Sequence, residues 1–594
     1  MNALVEYNRD ESEFNKYVHE ILLSQWGMKQ GLKIFGERGV AAVTKELQQL
    51  HDRKVIKPMK AHELTDEQRR KALAYLMFLK EKRDGSIKGR GCADGRKQRG
   101  WMDKEDTSSP TVSIQALILS CMIDAKEERD TATADIPGAF LQTDDLSGET
   151  HLRLDEVMTE LLAKIDPDLY NKYIQTDSKG KKFMYAECLK AIYGTLNAAL
   201  LFWLKLSKDL ETWGFVMNPY DWCVMNKVID GKQCTVLWHV DDIKVSHKDE
   251  NVVSSVLKQI NEEYGKEAPL TVTRGKVHEY LGMTIDFSEK GNVKFTMIDY
   301  IQEMLDEQPD NMDVGESVTA AAEHLFTVDE DGTKLNTADS TIFHHMTAKL
   351  LFLSKRARPD LQLAVAFLCT RVKDPDTDDW KKLTRVMKYL RATIGLPLIL
   401  GIDDTGVLRW HVDAAFAVHN DMKSHTGATL TLGRGAANSD SSKQKLNTRS
   451  STESEFVGVD DEMSQVVWTR YFLEAQGYNV KDNIVYQDNQ SAIKLAKNGK
   501  RSSGKRTRHI NIRYFFVTDR IAAKEMNMEY CPTLDMIADY FTKPLQGSQF
   551  RRFRNIILGI DETMIPRYNI EAKQMIRDKR ERAALLNEQI QISG

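Results

Sequence analysis

Cysteine is scarce and unpaired: seven in 594 residues, none in a Cys-x-x-Cys pair. That excludes a disulfide-stapled scaffold and a cysteine-rich zinc module, and it fits a reducing compartment. Long apolar runs are missing as well. No stretch approaches the roughly 18 consecutive apolar residues of a membrane span. The opening MNALVEYNRDESEF is too charged for a signal peptide, so no membrane partner is expected. Proline is sparse at 13 residues, and there is no internal repeat or low-complexity segment. Net charge is small too, −4 from 83 Lys+Arg against 87 Asp+Glu. What remains is 41% hydrophobic and 29% charged, enough for real cores. At roughly 100–200 residues per domain, a soluble chain of about three to five domains is expected.

The balanced total hides two basic blocks. Residues 80–99 carry eight Lys/Arg against three acids, and residues 494–513 carry eight Lys/Arg and no acid. One such block is ordinarily a solvated face. Two in a mildly acidic chain point to a polyanionic ligand.

Periodicity orders the chain. Residues 113–128 read as a helix before a short strand, TATADI, that runs into Pro137-Gly138, and a second helix is expected over about 189–213. Strands VMNKVID and QCTVLWHV follow, split by a Gly231-Lys232 turn. Residues 291–400 read as mainly helical, a new domain opens with strands after Gly401, and the last 35 residues form a charged helix.

Two acidic constellations stand out. Asp241-Asp242 follows the apolar run VLWHV, and Asp135, in TATADIPGAFLQ, also closes a β-rich run. Adjacent carboxylates repel one another in a plain core, so a divalent cation that neutralises them gives the pair a purpose. Acids delivered from strand ends suit two-metal phosphoryl transfer, and Mg²⁺ prefers carboxylate oxygens completed by substrate phosphates.

The blocks around those acids resemble the reverse transcriptases of copia-type LTR retrotransposons. DIPGAFLQ is similar to the family's DVKxAFLxG, CLKAIYGTLNAALLFW to LKKxLYGLKQAPRxWY, HVDDIKVSH to YVDDxxxxG, and EYLGMTIDF to YFLGIEI. RARPDLQLAVAFL and DWKKLTRVMKYLRAT resemble stretches further on. The likeness runs, with gaps, from about residue 30 to residue 556. It implies an α+β multidomain chain: a right-hand polymerase of fingers, palm and thumb, a helical connection, and an α/β RNase H-like domain. By the same likeness Asp135, Asp241 and Asp242 hold the polymerase metals, while Lys88 and Arg90 grip the triphosphate of a dNTP. Arginine suits that task because its fork binds phosphate bidentately. Phe140 falls where an aromatic ring crowds a ribose 2′-OH. Asn197-Ala198-Ala199 stands where the family has Gln-Ala-Pro, which alters the template-side contact carried over to Asn197. His239 replaces the family's tyrosine before Val-Asp-Asp.

The second constellation comes later. LRWHVDAAF places Asp413 within an apolar strand. STESEF opens a helix, with Ser451 or Thr452 as cap and Glu455 facing inward. IVYQDNQSAIKLA ends a strand at Asp488, and MIADYFTKPL carries Asp539 on a short helix. This is the order of an RNase H centre, and STESEF, DNQSAI and ADYFTKPL closely resemble the copia-type blocks STTEAEY, DNQSAI and ADxFTKPL. The match implies that Asp413, Glu455, Asp488 and Asp539 hold two Mg²⁺, with Mn²⁺ as a substitute, and activate water against the RNA strand of a hybrid. Glu453 and Asp535 are close rivals. GKRTRHINIRYFF resembles RTKHIDIRYHF; its basic run suits a nucleic-acid backbone. His509 within it is a candidate phosphate contact, with a structural role as the plainer reading.

The expected organisation is an extension over 1–29, fingers and palm over 30–290, thumb and connection over 291–402, an RNase H-like domain over 403–556 and a charged helical tail over 557–594. The expected activity is RNA- and DNA-directed DNA synthesis coupled to degradation of the RNA in hybrids. The rival reading is an inactive or domesticated remnant that binds nucleic acid, with RNase H activity alone or none. Implied partners are an RNA template, a DNA primer, the RNA–DNA hybrid and dNTPs, with integrase and capsid proteins of the same element. The implied location is a cytoplasmic virus-like particle, with the nucleus as second compartment. Asp404-Thr405-Gly406 matches the aspartic-protease tripeptide but lies in a hairpin turn. No His/Cys array of an integrase zinc module is present, so protease and integrase are expected upstream of Met1.

Overall fold

The computed structural model describes residues 26–593 apart from 82–84, 104, 106, 146–147 and 499–510. Two large apolar clusters organise it. The smaller fills an N-terminal lobe. Helix α1 (Met28–Asp52), broken at Gly36, buries Phe35 before the break and Val43, Leu47 and Leu50 at helical spacing after it. It packs on the antiparallel hairpin β1 (Leu73–Glu81) and β2 (Ile87–Ala93). β1 alternates buried and exposed residues, as a strand with one face on a core must. Strands His151–Leu154 and Lys182–Cys188 extend this sheet.

The larger cluster begins with helix α2 (Ile114–Glu127), whose first turn is capped by the Ser113 hydroxyl accepting from the Ala116 N–H at 3.1 Å. An antiparallel sheet packs on it: β3 (Asp130–Asp135), then after helix α3 (Ala198–Thr212) the strands β4 (Asp221–Ile229), β5 (Lys232–His239) and β6 (Asp242–His247), and after helix α4 (Glu250–Tyr264) strand β7 (Thr271–Arg274). The strand order is β7-β3-β6-β5-β4, with Val216–Asn218 at the far edge. The helix expected from about 189 starts only at Ala198. The Ala93 N–H donates to the Tyr193 carbonyl at 2.7 Å. Gly194, at φ +93°, sits so close that a Cβ would lie 2.1 Å from the Ala93 oxygen. This main-chain tie to β2 keeps residues 189–197 out of the helix, and only a residue without Cβ permits it.

Strands β8 (Val277–Tyr280), β9 (Met283–Asp286) and β10 (Asn292–Thr296) lead into a helical layer: Ile298–Asp306, α5 (Thr337–Ser354), α6 (Gln362–Arg371) and α7 (Thr377–Ala392). The chain returns along β11 (Leu398–Ile402), which pairs antiparallel with β10. The stretch expected to be mainly helical is thus a helical insertion framed by two paired strands.

A mixed five-stranded sheet follows: β12 (Val407–Ala415), β13 (His425–Thr431), β14 (Ala436–Lys443), β15 (Asp482–Gln487) and β16 (Asn527–Tyr530), in the order β14-β13-β12-β15-β16. β15 runs parallel to both β12 and β16; β13 is antiparallel to its neighbours. Helix α8 (Ser451–Ala475) crosses the sheet between β14 and β15. Its cap is Ser450 rather than Ser451 or Thr452. Ser450 is the last extended residue, and its hydroxyl accepts from the Glu453 N–H at 3.3 Å. The long final helix α9 (Ile565–Ser593) lies against Ile298–Asp306 through Lys579–Asp299 (2.6 Å) and Arg580–Asp306 (2.9 Å). Among the described residues no helix is long and apolar enough to cross a membrane.

Candidate active sites

The sheet of the larger cluster presents the first acidic group at one end. Asp135, last in β3, stands directly opposite Asp242, first in β6. His239 pairs with Asp242 to close a tight turn of Val240 and Asp241. Val240 sits at φ +60°, a left-handed conformation that a β-branched side chain adopts only under strain. Such strain is held by surrounding structure and clusters at functional sites. Here the Ile136 N–H donates to the Asp241 carbonyl at 3.1 Å, and the Tyr280 hydroxyl donates to the Asp242 carbonyl at 2.9 Å.

Electrostatics mark the spot. Burial, then the Asp241 charge, raises the Asp135 carboxyl above its ordinary value, while Lys88 on β2 pulls it down. Burial, then Asp241 and Asp135, pushes Asp242 up to about 6. Among the described residues none of the three carboxylates forms a salt bridge, and Lys88 acts on Asp135 only from beyond that distance, so their mutual repulsion is offset only in part.

The aromatic and basic residues expected around this group are brought to it. Phe140, buried in the turn after Asp135, packs its ring 4.5 Å from that of Tyr193 and 6.3 Å from Phe202. Arg90 stands over the Tyr193 ring at 5.7 Å, from the exposed face of β2 that also carries Lys88. Tyr193 is the residue that reading the sequence missed. It sits inside the CLKAIYGTL block, but only the tie to Ala93 reveals that it bridges β2 and Phe140. Asn197 occupies the N-cap of α3 without a side-chain cap bond, half-exposed.

The second group is tighter. Asp413 on β12, Glu455 on α8 and Asp488 just after β15 offer carboxylate oxygens within 4.8 Å of one another. Among the described residues the trio of Asp135, Asp241 and Asp242 is not gathered that closely. Asp413 faces Gly427 across the β12–β13 ladder. A Cβ at Gly427 would lie 2.7 Å from Phe541 and Thr542, so its absence lets the short helix Ile537–Phe541 settle onto the strand. That seat brings the Thr542 hydroxyl to Asp413 as a hydrogen-bond donor. Lys543 lies 3.6 Å from Asp413 and 2.7 Å from Asp539. The Gln487 amide donates to Glu455 at 3.2 Å, and Thr533 donates to Asp488 at 3.0 Å.

Asp539 therefore stands beside the three-carboxylate group rather than within it, its carboxylate taken by Lys543. Burial and then Asp413 raise it to about 7. Burial also raises Asp413, against the pull of Lys543. Burial, Asp413 and Asp488 hold the Glu455 carboxyl well above the ordinary range. The rivals separate by geometry. Glu453 accepts from the Arg449 N–H at 2.8 Å as part of the helix start, and Asp535 pairs with Arg552 at 2.6 Å. His509 lies outside the described residues. Asp404, of the protease-like tripeptide, is an exposed turn residue paired with Lys126 at 2.8 Å. Lys543 and Gln487 are further residues the sequence did not single out. The donor set of the second group, three carboxylates with no thiolate or imidazole, fits a hard divalent cation.

Residues 62–313 match the family described as Reverse transcriptase (RNA-dependent DNA polymerase). The chain is 25% identical over 497 residues to the Retrovirus-related Pol polyprotein from transposon TNT 1-94 of Nicotiana tabacum, covering 81% of this chain and 35% of that one. It is 27% identical over 494 residues to the corresponding polyprotein from transposon RE1 of Arabidopsis thaliana, covering 81% and 31%. It is 23% identical over 283 residues to the Putative transposon Ty5-1 protein YCL074W of Saccharomyces cerevisiae, covering 47% and 89%. The chain spans about a third of the length of the two plant polyproteins. Among solved structures, foamy viral protease-reverse transcriptase in complex with ds DNA superposes with a TM-score of 0.43 and 11% identity, over 83% of this chain and 69% of that one. So loose a superposition does not define a shared fold. Residues 62–313 are thus similar to the reverse transcriptase family, and over 81% of its length the chain is similar to retrotransposon Pol polyproteins.

Proposed function

We propose that the chain is an RNA-directed and DNA-directed DNA polymerase whose C-terminal part hydrolyses the RNA of RNA–DNA hybrids. In this reading residues 30–290 are fingers and palm, 291–402 thumb and connection, 403–556 an RNase H-like domain and 557–594 a helical tail. The observation that carries it is the pair of separate acidic groups, the first at strand ends and the second drawn from β12, the end of β15 and helix α8. Asp135 faces Asp242 at the strained Val240–Asp241 turn, and Asp413, Glu455 and Asp488 converge within 4.8 Å. The strand order β14-β13-β12-β15-β16, with a helix crossing between β14 and β15, supports the RNase H part.

Asp135, Asp241 and Asp242 would hold Mg²⁺ on the polymerase side, and Asp413, Glu455 and Asp488 on the nuclease side. Bound Mg²⁺ supplies Lewis acidity toward phosphoryl oxygens and lowers the pKa of the attacking hydroxyl or water. The chain's own residues do the rest. Lys88 and Arg90 reach over the first site from β2 and bind the triphosphate. Thr542 and Lys543 fix the Asp413 carboxylate, and Gln487 fixes Glu455. The substrates are a primed RNA or DNA template, dNTPs and the resulting hybrid.

Primer extension by the full chain on an RNA template, with dNTPs and Mg²⁺, tests the reading; no extension under any divalent cation would sink it. The same assay tests the sugar gate. Phe140 is wedged against Tyr193, so its ring cannot swing aside for a 2′-OH. Phe140→Val is expected to lower discrimination against rNTPs about 10–100-fold, the range one misfitted group gives a pocket. Unchanged discrimination would remove the gate assignment.

A further inference from the structure

Helix α1 ends on an arginine that reaches out of the N-terminal lobe. Arg53 is the C-cap of α1, its N–H donating to the Gln49 carbonyl at 3.1 Å. The side chain is 7% exposed, which an arginine tolerates only with its donors matched. Its guanidinium pairs with Glu267, between α4 and β7. Nη1 donates to the carbonyls of Pro137 at 3.4 Å and Gly138 at 3.3 Å, the apex of the turn between Asp135 and Phe140. Gly138 sits at φ +62°, and a Cβ there would lie 2.4 Å from that Nη1. The guanidinium therefore fits only because the turn carries glycine.

The rest of the turn is held at its two ends. On the way in, the Ile136 N–H donates to the Asp241 carbonyl at 3.1 Å. On the way out, the Gln142 amide donates to the Tyr264 carbonyl at 3.1 Å, and the Thr143 carbonyl accepts from the Ala191 N–H at 2.9 Å. Ile136, Ala139 and Leu141 are buried, and Phe140 packs on Tyr193 and Phe202. The Gly138 carbonyl also accepts from the Leu141 N–H at 2.9 Å, inside the turn. Among the described residues Arg53 is the only side chain that reaches the two apex carbonyls.

The same helix also holds β2. Two turns before Arg53, Glu46 accepts from the Gly91 N–H at 3.0 Å. Gly89 lets α1 press onto that strand, since a Cβ there would lie 2.8 Å from the Ala42 carbonyl oxygen. About 10 Å of helix thus joins the strand carrying Lys88 and Arg90 to the turn carrying Phe140.

We propose that Arg53 is a positioning residue for sugar selection: through the Pro137 and Gly138 carbonyls it holds the Phe140 ring at a fixed spacing from the basic residues of β2. The inference rests on the sugar gate and triphosphate contacts proposed above. A nucleoside triphosphate is gripped at one end and tested at the other. The 2′-OH is excluded only while those two ends keep their spacing, since a misplacement of about 1 Å costs a pre-positioned site about 100-fold in rate. With both ends of the turn tied, the apex is the part released when Arg53 is lost, and Phe140 lies two residues beyond it. Arginine suits the task because its planar fork meets a carboxylate and two carbonyls at once, which a point-charge ammonium does not.

The test compares wild type, Arg53→Met, Phe140→Val and the double variant, each as the full chain. Primer extension gives kcat/KM for a dNTP and for the matching rNTP, and amide exchange over residues 136–143 reports the turn without any catalysis. Arg53→Met is expected to lower the dNTP/rNTP ratio about 5–20-fold, less than Phe140→Val does. Exchange in the turn should quicken by at least about fivefold. Because Arg53 acts through Phe140, the double variant is expected to discriminate no worse than Phe140→Val alone. A general loosening of the fold would slow both nucleotides equally and leave the ratio in place. An unchanged ratio in Arg53→Met, or unchanged exchange, therefore overturns the proposal. Losses that multiply in the double variant overturn it too, since Arg53 would then act by another route. If wild type extends no primer, or Phe140→Val leaves the ratio where it was, the underlying reading fails by itself. Exchange then decides the hold alone: faster exchange supports it and constancy overturns it. Should Arg53→Met not fold, Glu267→Gln frees the same guanidinium from a side chain that is 41% exposed, and is read the same way for a smaller change.

Discussion

Asp241→Asn is expected to abolish primer extension while leaving RNA cleavage in a preformed hybrid intact. The substitution keeps the shape of the strained turn, since the Asp241 contact to Ile136 runs through its carbonyl. What it removes is one of three charges that no salt bridge balances among the described residues. Losing a metal ligand forfeits several kcal/mol of transition-state stabilisation, so the rate should fall by at least about 10³-fold. A pH signature accompanies it. Asp242 is pushed up to about 6 by burial and by its two acidic neighbours. As pH drops through that value the group protonates and ceases to be a ligand, so the Mg²⁺ required for half-maximal extension should climb below about pH 6. In Asp241→Asn one source of that push is gone, and Asp242 should titrate lower. Extension that survives in the variant, or a Mg²⁺ requirement flat from pH 5 to 8, would mean the turn is not the metal site.

The second large effect pairs loss of activity with gain of stability. Glu455→Gln is expected to abolish RNA cleavage, spare DNA synthesis and raise the melting temperature in chelator. Glu455 is buried with Asp413 and Asp488 beside it, which holds its carboxyl well above the ordinary 4.5. The folded chain thus binds this proton more tightly than the unfolded chain does. Below about pH 4.5 both states are protonated and the variant gains little. As pH rises beyond that, ionising the folded wild type costs free energy that the neutral amide avoids. By pH 7.5 the variant should be ahead by about 1–3 kcal/mol, the cost of one poorly compensated buried charge. The amide can still accept from Gln487, so the packing is kept. Adding Mg²⁺ should stabilise wild type more than the variant and narrow the gap, because a ligand that binds the native state shifts the folding equilibrium. A variant that melts lower in chelator would show that the three carboxylates are not under mutual strain. Asp488→Asn should likewise stop cleavage and spare synthesis; loss of both would mean the two centres are not independent.

Much of this chain could be read in one dimension. Asp135, Asp241, Asp413, Glu455 and Asp488 each lie in a short block whose apolar alternation or helical spacing is local. The strand ends and helix starts that carry them are decided within about ten residues. The basic residues of β2 follow from composition and alternation for the same reason. Beyond that range the sequence is silent. Tyr193 is an unremarkable tyrosine until the main chain of Ala93 pulls residues 189–197 out of the expected helix. Asp539 looks equal to its three partners until Lys543 takes its carboxylate. Lys543, Gln487 and Arg53 join residues tens to hundreds of positions apart. Local periodicity sets which residues form a strand or helix, because those preferences come from neighbouring backbone and side chains. Which carboxylates meet, which cation stands between them and which distant side chain seats the turn after Asp135 depend on long-range packing, and that is decided only when distant segments close on one core.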